Sequence, residues 1–130
     1  MKLLLNLGLA KIALILSILL SIIYPLRVLN KKLYDNRSKI LNTINEHLRK
    51  HHKKLGIALI LTGLIHGIYS SKTILSFNLG TITWIVSVML GLNFILRKKF
   101  SNSKPWMYYH RILTLIFLML MLIHILVVKI

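Results

Sequence analysis

The sequence predicts an all-α integral membrane protein, a four-helix bundle, and three observations predict it. Of the 130 residues, 56% are hydrophobic, only Asp35 and Glu46 are acidic, and the apolar residues fall into four separate runs. A hydrocarbon core about 30 Å thick takes about 20 helical residues to cross. A soluble domain of this size has no interior for four such runs.

The first run covers about 3–24. Lys2 precedes it as in a secretory signal, but the run is too long, Lys11 interrupts it and no small-residue cleavage site follows. It is therefore expected to stay as the first transmembrane helix. Lys11 either snorkels to the interface or meets an anionic group inside the bundle. Pro25 should close this helix, because proline lacks an N–H and clashes with the preceding turn. The polar connector that follows holds Ile40, Leu41, Ile44 and Leu48 at helical spacing, which predicts an amphipathic surface helix over about 35–50. The remaining spans are expected at about 52–69, 79–96 and 108–128. Trp106, Tyr108 and Tyr109 form an interfacial belt where the last one begins.

The net charge of +16 comes from lysines and arginines that lie almost wholly between the apolar runs. Charge in that position sets topology and contacts lipid headgroups, so membrane lipid and not nucleic acid is the expected partner. Nine basic residues fall between Arg27 and Lys54, and Arg97, Lys98, Lys99 and Lys104 follow the third run. The segment Ser70–Asn78 carries only Lys72. Loops 26–51 and 97–107 should then be cytoplasmic, with both termini outside a multi-pass cell-membrane protein. The chain has no cysteine, which excludes disulfides, cysteine-ligated iron–sulfur clusters and covalently attached haem.

Four histidines repeat one spacing. His52 and His66 are fourteen apart in the second run, and His110 and His124 are fourteen apart in the fourth. Fourteen helical residues rise about 21 Å and return to within about 40° of the same face. Helices two and four run in the same direction, so His52 falls level with His110 and His66 level with His124. Imidazole in a bilayer wants a partner. Two imidazoles at each of two levels suit two noncovalent b-type haems between helices two and four, as axial ligands that leave iron no open position. Zinc fits less well, since each level offers only two protein nitrogens and no carboxylate or thiolate. A single intramembrane histidine is more often simply hydrogen-bonded, and the repeated spacing is what sets these four apart.

Gly56, Gly63 and Gly67 flank the histidines of the second helix and would let a flat macrocycle approach the backbone, or would simply serve helix packing. Lys53, Lys54 and Arg111 at the inner level, and Lys72 at the outer one, are candidate propionate partners, though lipid phosphate competes for them. His51 is rotated about 100° from His52 and shares a face with His47, where a basic surface is a commoner use than a metal site. Met119 and Met121 are expected to be core packing. Trp84 has no membrane boundary to explain it; a haem edge, a helix or lipid could take its ring.

The stretches LRKHHKKLGIALILTGLIHGI (Leu48–Ile68) and WMYYHRILTLIFLMLMLIHIL (Trp106–Leu126) resemble the ferric reductase-like transmembrane domain family. That family includes the cores of NADPH oxidases and ferric reductases and the haem subunit of the bacterial methionine sulfoxide reductase system. The resemblance rests on the paired histidines, the basic residues around His52, the Leu55–Gly56 step and the His110–Arg111 pair. It implies two stacked haems, held by His52 with His110 and by His66 with His124. A similar histidine spacing occurs in the cytochrome b of quinol-oxidising complexes. Two departures stand out: four helices are expected instead of six, and no flavin or nicotinamide module is expected after the last helix.

The sequence therefore leads to a b-type dihaem cytochrome subunit. It is expected to carry electrons between a cytoplasmic-side flavoprotein, iron–sulfur protein or quinol and an outer-side acceptor, in either direction, as an oligomer or part of a larger complex. Two alternatives stay open: a quinol-reactive cytochrome b subunit, and a haem-free basic membrane adaptor. Direct reduction of ferric chelates at the outer face is an activity that the residues do not separate from relay to a protein.

Overall fold

In the computed structural model the described residues are 1–70, 77–99 and 105–128. Five α-helices account for their regular structure: α1 (Lys2–Ser21), α2 (Ile23–Tyr34), α3 (Lys39–Ser70), α4 (Leu79–Leu96) and α5 (Pro105–Val128).

α1 and α2 form one rod. Ile22 keeps helical backbone angles between them (φ −72°, ψ −16°), and the bonds Ile22 N–H to Ile18 O (2.9 Å) and Leu26 N–H to Ile22 O (3.0 Å) carry the ladder across the junction. Pro25 does not end the helix as the sequence suggested. It sits at the third position of α2, in the first turn, where a missing N–H costs least. The rod ends ten residues later, where Asp35 and Asn36 take left-handed angles (φ 46° and 63°) that reverse the chain. These short polar side chains tolerate that region better than most.

The expected surface helix is also joined to its neighbour. Residues 39–50 run without a break into 52–69 as the 32-residue α3. No proline or glycine stands near 50–52 to break it, and Leu48, Arg49 and Lys50 are good helix formers. At about 1.5 Å per residue α3 is about 48 Å long, well beyond the thickness of a hydrocarbon core.

α4 keeps the expected bounds. Its cap is Asn78, whose Oδ1 accepts from the Thr81 N–H at 3.0 Å and from the Thr81 hydroxyl at 3.3 Å. α5 starts three residues earlier than expected because Pro105 occupies its first position, where a fixed φ favours helix initiation. Three helices are long and apolar enough to cross a membrane: the Lys2–Tyr34 rod, α4 and α5. α3 falls short of that composition. Its second half, the expected span 52–69, is diluted by His52, Lys53, Lys54 and His66.

α1 packs along α3, α2 packs on the start of α3, and α4 packs on both α3 and α5. Hydroxyl-bearing residues line the closest approaches: Ser17 on α1 is 1% exposed, and Thr83 and Ser87 on α4 are buried. Each returns its hydroxyl to its own helix: Ser17 to Ala13 O, Thr83 to Leu79 O and Ser87 to Trp84 O. Such side chains satisfy themselves locally and let backbones come close.

Among the described residues only Leu59, Val86 and Phe117 are fully buried apolar side chains. The chain exposes 10191 Å². A compact soluble monomer of its mass exposes about 7,100 Å². The excess is apolar and follows the helices from Leu3 to Val128, the surface a lipid-facing bundle presents.

Candidate functional site

α3 and α5 bring the candidate histidines together. Both helices run antiparallel to α4 and therefore parallel to one another, so the fourteen-residue steps align. At one level the His52 and His110 rings lie 6.1 Å apart, centroid to centroid, with their planes at 64°. At the other level none of the ring contacts among the described residues joins His66 to His124, and the His124 ring edge lies beside Gly80 of α4. All four rings are partly buried. α3 and α5 share no extensive close backbone contact, in contrast to α1 with α3 and α4 with α5. Side chains, and not touching backbones, therefore define the space between them.

The separation and tilt at the first level are those of an edge-to-face ring contact, which brings the two imidazoles into one place. The rings are also short of partners. Buried side-chain atoms without a hydrogen bond include Nδ1 of His52, His66 and His110, together with Oδ1 of Asn6 and Asn45. Orphaned buried nitrogens are costly, and three of them on the same candidate set mark a place where a further group is wanted. Among the described residues no three or more His, Cys, Asp or Glu side chains converge to hold an ion alone. Two donors at a level suit an iron whose other four ligands come from a porphyrin.

His51 stands apart from this pair. Its ring is 4.7 Å from that of His47, on the face that i, i+4 spacing gives. Trp106 packs 6.4 Å from the His110 ring, with the Arg97 guanidinium 5.6 Å over its own ring, so the His52–His110 level has an aromatic and cationic cover. Thr114 donates to the His110 carbonyl at 2.8 Å, which fixes the turn beneath that ring.

The glycines separate into two groups. A Cβ at Gly56 or Gly67 would meet nothing within 4 Å, so both leave open space beside a histidine. Gly63 does not. A Cβ there would lie 3.0 Å from Trp84 Cδ1, and Trp84 Nε1–H donates to Ile60 O at 3.0 Å. The bare face of Gly63 is thus filled by Trp84 from α4, which answers where that tryptophan points: it bolts α3 to α4. The candidate propionate partners are less concentrated than expected. Lys53, Lys54 and Arg111 are exposed, and the Arg111 guanidinium lies 4.6 Å over the Tyr24 ring. Lys11 is exposed, as is Met119, whereas Met121 packs on the small core. Lys72 and Lys104 lie outside the described residues.

Two site residues escaped the sequence reading. Gly80, at the start of α4, seats the His124 ring: a Cβ there would lie 3.0 Å from His124 Cε1 and 3.5 Å from its Nε2. The Asn6 backbone on α1 lies near the His66 ring, and the Asn6 Oδ1 is buried without a partner. Gly80 could have been suspected from its place in the first turn of an apolar helix. Nothing local marks Asn6, because its role depends on α1 lying antiparallel to α3.

No protein-family model, curated protein or solved structure matches the chain.

Proposed function

We propose that this protein is a b-type dihaem membrane cytochrome of the ferric reductase-like kind, an electron-transfer subunit that moves electrons across the cell membrane. The observation that carries this reading is the His52–His110 ring pair at 6.1 Å, at the foot of two parallel helices that each place a second histidine fourteen residues on. When bound, each haem supplies a one-electron ferric–ferrous couple. His52 and His110 would hold the inner one and His66 and His124 the outer one, two imidazoles to each, which suits electron transfer and not dioxygen binding.

The protein's own work is to hold, orient and insulate. On this reading α3 and α5 each contribute one imidazole to each level, and at the first the rings lie 6.1 Å apart. Trp84, anchored on Ile60 O and Gly63, fixes α3 against α4, and Gly80 seats His124. The apolar flanks of α1, α4 and α5 keep water from the rings and raise the cost of any charge left there. α1 and α4 both pack on α3, and on this reading residues 52–69 cross the membrane beside them although their own composition is less apolar. The first two-fifths of α3, with α2, would then project on the side rich in lysine and arginine, which the positive-inside bias assigns to the cytoplasm.

A redox partner is expected at each end, a flavoprotein, iron–sulfur protein or quinol inside and an acceptor outside. Proteoliposomes loaded with a membrane-impermeant reductant and presented with external ferricyanide test the function. The native chain should reduce external ferricyanide faster than empty vesicles do, and His66→Ala should bring the rate down to that of empty vesicles. Equal rates with native chain and empty vesicles would remove the transmembrane role.

A further inference from the structure

Away from the histidines, α2 and the start of α3 form a polar cleft. It is an open cleft of about 710 Å³, lined by Arg27, Asn42, Asn45, Glu46, Arg49 and Lys50 together with Asn30 and Asn36. Its walls are fixed. Asn30 is 4% exposed and uses both ends of its amide, donating to Asn42 Oδ1 at 2.7 Å and accepting from the Ser38 N–H at 3.3 Å. Asn42 in turn donates to Asn36 O at 3.0 Å. Three cations face one carboxylate across this scaffold, and the buried Oδ1 of Asn45 has no partner.

Depth narrows what the cleft can take. Arg27 is three positions beyond Tyr24, where the first apolar run ends, and Arg49 and Lys50 stand just before His52, where the α3 span begins. Both helices leave the hydrocarbon at this level, so the cations sit in the plane of the phospholipid phosphates. Arginine presents paired donors that match phosphate oxygens. Asn45 Oδ1 and the Glu46 carboxylate both need donors, which the several hydroxyls of a headgroup supply and the single P–OH of a phosphate dianion cannot supply to both.

We propose that this cleft is a specific site for an anionic phospholipid headgroup, a phosphodiester carrying free hydroxyls, with Arg27, Arg49 and Lys50 on the phosphate and Asn45 and Glu46 on the hydroxyls. The site is independent of whether haem binds between α3 and α5. It ties the α2–α3 hairpin to the inner leaflet and supplies more than the diffuse attraction of basic loops.

Native mass spectrometry of the full chain, with equal amounts of phosphatidylglycerol and phosphatidylcholine added in detergent, provides the test. The native chain should retain one phosphatidylglycerol in preference to phosphatidylcholine. The double variant Arg27→Gln/Arg49→Gln should lose about thirtyfold of that preference. The charge-matched control Lys31→Gln/Lys32→Gln should keep it, and helical circular dichroism should be the same for all three. Asn45→Leu should lower phosphatidylglycerol retention with no change in net charge. Equal retention of the two lipids by the native chain, or equal losses in both double variants, would overturn the site in favour of diffuse charge. Displacement of phosphatidylglycerol by an equal concentration of inorganic phosphate would overturn the lipid assignment and give the cleft to a soluble phosphate.

Discussion

The rings of His52 on α3 and His110 on α5 stand 6.1 Å apart although their helices share no extensive close backbone contact. Two rings held at that distance by separate helices should act as one unit. His52→Ala and His110→Ala are therefore expected to give the same phenotype, a fall from two haems per chain to one, with the remaining spectrum common to both. His66→Ala and His124→Ala should lose the other haem. Haem counts and low-temperature spectra of the four variants check this, and different residual spectra for His52→Ala and His110→Ala would break the pairing.

Gly80 gives a test that leaves all four histidines in the chain. A valine there places carbon atoms where the His124 ring lies, starting from a Cβ 3.0 Å from Cε1. Residues that orient a metal ligand typically change affinity about 10- to 100-fold when altered. Gly80→Val should thus weaken the outer haem by about that factor and leave the inner one unmoved, as read by haem titration of the apoprotein. Equal weakening at both levels would mean that α4 has simply unpacked.

Trp84 and Asn30 are predicted to matter for stability and not for redox chemistry. Trp84→Phe keeps most of the ring against Gly63 but loses the bond to Ile60 O, a cost of about 1 kcal/mol. Trp84→Ala also opens a cavity between α3 and α4, for about 3–5 kcal/mol. Thermal unfolding in detergent should rank the two in that order. Asn30→Ala leaves the Ser38 N–H and Asn42 Oδ1 without their partner, at about 1–3 kcal/mol, and should speed proteolysis across residues 35–38. Protection equal to that of the native chain would show that the hairpin does not depend on Asn30.

How far these features were legible depends on the range of the interactions behind them. α4 was read with its observed bounds because apolar composition is a local signal. The histidine spacing was likewise visible, since a fourteen-residue step is a property of one helix at a time. Pro25 misled because its effect depends on position: in the first turn of α2 it is tolerated, and only the path of the rod to Asp35 reveals that. The junction of residues 39–50 with 52–69 was missed for a related reason. An amphipathic pattern beside an apolar one reads as two helices, whereas the backbone has no reason to break between them. Gly63 was credited with space that Trp84 fills, and Gly80 and Asn6 went unseen, because each depends on which helix lies opposite. Patterns within a helix were readable, and contacts between helices were not.

The most direct test of the central claim is a dithionite-reduced minus oxidised spectrum of the purified chain, with the haem counted as its pyridine haemochrome. Two b-type, low-spin haems per chain are predicted. A colourless chain purified from cells supplied with ample haem would contradict the account and leave a basic membrane adaptor in its place.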